Sequence, residues 1–190
     1  QANLDVVYVA VPHQLHEEIY VDVLEAGCDL FAEKPFGIDL EAAQTIQQAA
    51  ERCGRFVRCS SEFPFMPGAQ AAYDYVKSGA CGRLMEVVSG FHHCSDLDAS
   101  KTANWKRHSS TCGEIGVLGD LGMHVFHLPI RLGWKPENIF AQLQRGYQQR
   151  PDGKGGMTSC DTWDNALVHS IVPQEGEEAF VMRFEMKRLA

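Results

Sequence analysis

The first sixty residues alternate between short apolar runs and amphipathic segments. Residues 5–11 are nearly all apolar and rich in β-branched side chains, which is typical of a strand buried on both faces of a parallel sheet. After Pro12, apolar residues recur at helical spacing as far as Ala26, and Gly27 follows at the position of a C-terminal helix cap. Three further elements are predicted: a strand at 28–32, a helix from its Asp39 cap to Cys53 and a strand at 55–60. This β-α-β-α-β order predicts an α/β fold with part of a doubly wound parallel sheet.

The pattern changes after residue 60. Pro64, Pro67 and Gly68 mark a junction, and a short helix around Tyr75 follows. One helix is predicted at 121–132, and four segments are typical of strands: 84–93, 138–148, 163–172 and 179–186. Strands that follow one another with few helices between them favour antiparallel pairing. We therefore expect a second, α+β domain over residues 61–190, with a largely antiparallel open sheet, after a first domain over residues 1–60.

Composition and charge narrow the classes of protein. Of the 190 residues 45% are hydrophobic, and 25 acidic against 17 basic side chains give a net charge of −8, which argues against binding nucleic acid or an anionic membrane. No apolar run approaches the roughly 20 residues of a membrane-spanning helix. The seven cysteines are scattered without a C-x-x-C pair, so neither a disulfide framework nor a zinc ribbon is indicated. We expect a cytoplasmic protein with reduced thiols.

Both ends of the chain lie inside strand-like patterns. It opens at Gln1 just before an apolar run and stops at Ala190 just after an alternating segment. We therefore expect the middle of a longer protein, incomplete at its C-terminus. An export signal ahead of Gln1 is left open.

The segment Glu33-Lys34-Pro35 follows the second predicted strand. Ligands bind at the carboxyl ends of strands in open α/β sheets, so a lysine here can donate to a substrate oxygen and stabilise negative charge that develops on it. Pro35 disfavours a helix at this point and is compatible with a cis peptide bond. The alternative is a solvated surface pair that merely ends the strand.

Asp120 and His124 form a second candidate, in a glycine-rich stretch that leads into a helix. Four residues apart, they lie on one helical face about 6 Å from each other. A histidine there can accept a proton near neutral pH, and the carboxylate can orient it or bind a substrate hydroxyl. The alternatives are a helix cap for Asp120 and a partly buried histidine without a role for His124.

Other candidates are weaker. Three histidine pairs, 13/16, 92/93 and 124/127, lack a third ligand at metal-site spacing, so no metal site is predicted. Trp105, followed by Lys106 and Arg107, is either a wall of a substrate pocket or a loop anchor.

These motifs together resemble a known family. The first part of the chain resembles the Gfo/Idh/MocA oxidoreductases in residue types and spacing, at residues 6–12, His16, residues 24–27 and Glu33-Lys34-Pro35. The resemblance continues in the second part, at Ser78-Gly79, Gly82-Arg83, Trp105-Lys106 and residues 119–124. It is strong to about residue 135 and loose beyond. It implies the C-terminal half of a Rossmann domain that binds NAD or NADP, followed by a substrate domain whose sheet commonly forms the interface of a dimer or tetramer.

The resemblance also assigns roles to residues. Lys34, Asp120 and His124 would be catalytic, with His124 as the proton acceptor and Asp120 on substrate hydroxyls. The substrate would be a sugar, an inositol or a related polyol, bound by Lys34, Trp105, Lys106, Asp120 and His124. Cofactor contacts would come from Val11, Pro12, His13, His16, Glu33 and Lys34.

The chain also departs from the family pattern. His13 replaces a frequent asparagine, Ser61-Glu62-Phe63-Pro64 replaces a basic and aromatic segment, and His127 replaces a frequent aspartate. The G-x-G-x-x-G turn and the acidic residue that selects NAD over NADP are absent, and we expect them upstream of Gln1. Two other functions remain open: an NAD-dependent glycosidase that works by transient oxidation, and a non-catalytic sensor on the same scaffold.

Overall fold

The computed structural model describes residues 3–190, and its first part is built on a three-stranded parallel sheet. Strands β1 (Val6–Val9), β2 (Asp29–Ala32) and β3 (Val57–Cys59) lie side by side in chain order. A 3-10 turn (His13–Leu15) and helix α1 (His16–Glu25) connect the first two strands, and α2 (Leu40–Cys53) connects the second and third. The predicted parallel α/β arrangement is confirmed. Gln1 and Ala2, which the first predicted domain includes, lie outside the described residues.

Local signals place these elements where the sequence predicts them. The Asp39 side chain caps α2 by accepting from the Ala42 N–H at 2.8 Å, and Gly54 ends the helix in the left-handed conformation. The buried faces of the two helices and the strands share one apolar core, made of Val9, Tyr20, Leu24, Leu30, Ala32, Ile46 and Ala49.

The second part contains a four-stranded sheet in the order β4-β9-β8-β5. Its strands and the helices around it are α3 (Pro67–Lys77), β4 (Glu86–His92), α4 (Ser109–Cys112), α5 (Val117–Leu132), β5 (Asn138–Gln144), β8 (Asn165–Gln174) and β9 (Glu177–Lys187), with a separate ribbon of β6 (Gln149–Pro151) and β7 (Met157–Ser159). The pairs β5–β8 and β8–β9 are antiparallel, whereas β4 runs parallel to β9. The largely antiparallel open sheet is thus confirmed, with one parallel pair.

Two boundaries differ from the prediction by four residues. The strand predicted at 138–148 ends at Gln144, because the Gly146 N–H turns to Asp164 Oδ2 at 2.9 Å and a side chain at Gly146 would collide with Leu189. Helix α5 begins at Val117, four residues before the predicted start, since the Val117 N–H donates to the Trp163 carbonyl at 3.0 Å.

Helix α5 lies on one face of the four-stranded sheet. Its buried side chains, Val117, Leu121 and Val125, pack against the inward side chains of β8 and β9. The other face exposes apolar side chains, including Val88, Phe140, Ile171 and Val181. An oligomer through this sheet stays a prediction. Within residues 3–190 no helix is both long and apolar enough to cross a membrane.

Candidate active site

A cleft of about 300 Å³ lies where the carboxyl ends of β1 and β2 face the first turn of α5. Of the ten residues predicted to act in catalysis or binding, all but His16 and His124 line it. The lining consists of Ala10, Val11, Pro12, His13, Glu33, Lys34, Trp105, Lys106 and Asp120. The fold therefore brings the two sequence motifs, one that follows β2 and one on α5, into one cleft.

Asp120 is the centre of this cleft's charge. Its carboxylate is 2% exposed and binds three cations: Lys34 Nζ at 3.0 Å, Lys106 Nζ at 2.9 and 3.0 Å, and Arg188 Nη2 at 2.9 Å. Burial alone would raise the pKa of Asp120, but Lys34, Arg188 and Lys106 outweigh it and hold that pKa well below its usual range. Asp120 is therefore a carboxylate at any physiological pH.

The same contacts decide between the interpretations of Asp120. The N-cap of α5 is Gly116, and Asp120 lies in the first turn with its side chain directed to cations from other elements. The alternative of a simple helix cap is therefore wrong.

Lys34 is fixed by its neighbours on β2 and β1. Its Nζ also donates to the Asp120 main-chain oxygen at 3.2 Å, and its N–H donates to Glu33 Oε2 at 3.1 Å. Tyr8 holds the other oxygen of Glu33 at 2.6 Å, and the Lys34–Pro35 peptide bond is cis. With its side chain only 18% exposed, Lys34 is not part of a solvated surface pair, and that alternative is wrong.

His124 lies one helical turn beyond Asp120, outside the lining of the cleft. The ring is 9% exposed and packs on Phe63 and Phe91, with centroids 4.2 and 5.1 Å away. Its Nδ1 has no hydrogen-bond partner among residues 3–190. Burial, and then the nearby Lys34 charge, lower the pKa of His124, so the ring is neutral at pH 7 and able to accept a proton.

His13 and His16 are buried histidines that contact the backbone around the cleft. His13 is 2% exposed, with Nδ1 2.9 Å from the Cys112 carbonyl oxygen and its ring edge on Trp105. Each ring nitrogen of the buried His16 faces a carbonyl oxygen, that of Pro35 at 2.9 Å and that of Val11 at 3.0 Å. His16 thus joins the segments that follow β1 and β2. Its assignment to cofactor binding stays a prediction, and the structure gives its ring nitrogens backbone contacts only.

The titration of His13 makes stability depend on pH. Burial lowers the pKa of His13 to about 4 from 6.5, so the unfolded chain binds the proton first as pH falls. Between pH 6.5 and 4 this residue should therefore remove up to about 3 kcal/mol of unfolding free energy. Urea unfolding of the full-length protein at several pH values should show a shallower decline in a His13→Gln variant. An equal decline in both proteins would contradict the assignment.

Sequence analysis missed a buried charge network next to the cleft. Arg107, 3% exposed, donates to Asp164 Oδ1 at 2.5 Å and to Asp96 Oδ2 at 2.7 Å, and the Arg188 N–H donates to the Asp164 carbonyl at 3.0 Å. A signal for two of these residues exists in the strand alternation. Asp164 precedes the inward positions 166, 168, 170 and 172 of β8, and Arg188 continues the inward series 180, 182, 184 and 186 of β9. A charge at an inward position indicates a buried partner.

No group of three or more metal-ligating side chains is gathered within the part of the chain that the structure describes. The histidine pairs therefore gain no third ligand there. The expected lack of a metal stays a prediction.

The first part of the chain is similar to a known family. Residues 1–61 match the model of the Gfo/Idh/MocA family, an oxidoreductase family with an NAD-binding Rossmann fold. Levoglucosan dehydrogenase of Pseudarthrobacter phenanthrenivorans is 26% identical over 84% of this chain and 41% of its own length. Inositol 2-dehydrogenase of Corynebacterium glutamicum is 28% identical over 60% of this chain and 34% of its own length.

The solved structures agree with the sequence comparison. Levoglucosan dehydrogenase in complex with NADH and levoglucosan superposes with a TM-score of 0.84 at 25% identity, covering 98% of this chain and 48% of that protein. The chain thus spans less than half the length of these relatives. The resemblance seen in the motifs is confirmed: residues 1–61 match the Gfo/Idh/MocA oxidoreductase family, and the chain as a whole is similar to NAD-binding dehydrogenases.

Proposed function

We propose that this chain carries the catalytic side of an NAD(P)-dependent dehydrogenase that oxidises a hydroxyl group of a sugar, an inositol or a related polyol. The observation that carries the proposal is the Asp120 carboxylate, bound by Lys34 from the parallel sheet and by Lys106 in one open cleft. The substrates named in the matched relatives, levoglucosan and inositol, support the substrate class. We also propose that the boundary between the two domains lies between residues 60 and 61.

The residues at the carboxyl ends of β1 and β2 fit the nicotinamide end of the cofactor. Residues 10–12 and Lys34 line the cleft there, and the Lys34 ammonium suits an amide oxygen and ribose hydroxyls. When bound, the nicotinamide accepts a hydride. The candidates to hold it are Val11, Pro12, His13, Glu33 and Lys34. The 190 residues contain no G-x-G-x-x-G turn, so the pyrophosphate contacts are not assigned to this chain.

His124 is the proposed proton acceptor. Its ring is neutral and lies one helical turn from Asp120, so it can take a hydroxyl proton, and the Phe63 and Phe91 rings pack against it. A proton acceptor that remains neutral is needed because removing the hydroxyl proton precedes or accompanies loss of hydride from the same carbon.

Lys34 and Asp120 are the proposed partners of the substrate oxygens. The Lys34 ammonium stabilises negative charge that develops on the reacting oxygen, while the Asp120 carboxylate accepts hydrogen bonds from substrate hydroxyls. Lys106 and Trp105 also line the cleft, where a basic and an aromatic side chain suit the polar edge and the apolar face of a sugar ring.

An assay of the full-length protein tests this function. Sugars, inositols and their acids are supplied with NAD or NADP, and we expect net formation of the reduced cofactor, followed by absorbance, together with one oxidised product. Cleavage of a glycoside without net reduced cofactor would instead favour the glycosidase. Tight binding of a sugar with neither reaction would favour the sensor and overturn the proposal.

A further inference from the structure

We propose that Arg188 is a positioning residue of this site: it holds the Asp120 carboxylate while Lys34 and Lys106 turn to the substrate. The inference rests on the proposed function and deepens it. Its basis is the unequal access that the three cations bound to Asp120 have to the cleft.

The side chains of the three cations differ in exposure. Lys34 is 18% exposed and Lys106 33% exposed, and both line the cleft. Arg188 is 1% exposed and does not line it. Substrate oxygens can therefore compete with Asp120 for the two ammonium groups, but they cannot reach the guanidinium.

Arg188 is also the best anchored of the three. It directly follows β9, which is paired on both sides, with β4 and with β8, and its own N–H donates to the Asp164 carbonyl at 3.0 Å. A guanidinium is planar and rigid, whereas a lysine ammonium sits on a flexible four-carbon stem. Arg188 Nη2 therefore fixes Asp120 Oδ2, at 2.9 Å, from the sheet side.

Charge balance explains why a third cation is present. The titratable groups near Asp120, besides the three cations, include His13, His93, Cys112 and His124, and none of these four supplies a positive charge at neutral pH. If only the lysines paired with Asp120, a substrate that drew them away would leave a carboxylate buried without a counter-charge, which is strongly unfavourable. Arg188 removes that penalty, so the lysines can exchange partners.

The test compares R188M and R188K with a matched arginine elsewhere. In full-length R188M we expect the lysines to stay with Asp120, so the KM for the polyol should rise about tenfold or more, as for a lost charged hydrogen bond, while the KM for the cofactor stays unchanged. The acid limb of kcat/KM, which His124 sets, should move to higher pH, because an Asp120 carboxylate that has lost a cation favours the protonated His124 ring more strongly. R188K should fall between R188M and the wild type.

The control is R83M, which removes an exposed ion pair between Arg83 and Glu178, a residue of β9. It should leave both KM values and the pH profile unchanged. A purely structural role for Arg188 predicts a lower melting temperature with wild-type KM and pH profile, and that result in R188M would overturn the proposal. If R188M does not fold, R188K decides, and wild-type values there would overturn it as well.

A structural readout separates this inference from the proposed function. Crystal structures should be compared for the cofactor-free wild type and variants. Relative to the wild type, the Asp120 carboxylate should be rotated in R188M and unchanged in R83M. An unchanged Asp120 in R188M would overturn the inference even if the enzyme oxidises a polyol. A wild type that oxidises no polyol would instead overturn the proposed function, and the crystal structures would still test the role of Arg188.

Discussion

His124→Ala in the full-length protein is expected to lower kcat by about 10²- to 10⁴-fold, the range for loss of a positioned general base. The ring is neutral and lies one helical turn from Asp120, so it can take up the substrate proton. Lys34→Ala should produce a loss of similar size by removing the cation that stabilises the reacting oxygen. Steady-state kinetics with the best substrate measures both, and cofactor titration of the His124→Ala variant should show nearly unchanged binding.

The neighbouring His127 is a matched control. It lies on the same helix, is partly buried and also has an Nδ1 without a partner in the described part of the chain. The charge that acts on its ring is that of Arg131, whereas Lys34, Asp120 and Lys106 of the cleft act on His124. His127→Ala should therefore keep most of the turnover. Because burial and Lys34 lower the pKa of His124 from 6.5, the acid limb of wild-type kcat/KM should lie below pH 6.5. Turnover near the wild-type level in His124→Ala would refute the assigned role.

Arg107→Met is expected to lower the unfolding free energy by roughly 3 kcal/mol or more, because it breaks buried ion pairs by removing one partner. Two carboxylates, those of Asp96 and Asp164, would lose the same guanidinium. Asp96 keeps its contact with Lys101 at 2.9 Å and Asp164 keeps the Gly146 N–H, which limits the loss. Urea unfolding of the full-length protein, followed by fluorescence, measures the difference.

Arg52→Met provides the comparison for this effect. The Arg52–Glu25 pair is 2.7 Å long, but its two side chains are 59% and 53% exposed, so its loss should change the unfolding free energy by at most about 1 kcal/mol. If Arg107→Met and Arg52→Met had similar effects, the buried network would not be an important source of stability.

The sequence predicts most of the first sheet, because its signals are local. The Asp39 cap, the terminal Gly54 and the apolar runs each act within a few residues, and the helix they predict matches α2. The start of α5 is missed, because the glycines at 116 and 119 lower helix propensity and the first turn is stabilised by Trp163, far away in sequence. A contact between residues far apart in sequence leaves no local pattern of residue types.

The residues of the site likewise fall into those with a local sequence signal and those without one. Lys34, Lys106 and Asp120 stand in recognisable motifs, and the structure places them in contact. Arg188 pairs with Asp120, 68 residues away in sequence. Arg107 pairs with Asp164, 57 residues away, and with Asp96, 11 residues away. These pairings depend on how β8, β9 and the loop before α4 pack. The inward alternation of β8 and β9 would have indicated that Asp164 and Arg188 are buried, but not which partners they bind.

The pairing between β8 and β9 also limits how this protein can vary. The two strands form a hairpin in which Gln174 pairs with Glu177, and their inward side chains alternate as far as Arg188. A slip of one residue in this register would exchange the faces of Lys187 and Arg188 and separate the guanidinium from Asp120. Insertions and deletions that reach the strands from this hairpin turn should therefore be rare among homologues, although the turn lies at the opposite end of β9 from the cleft.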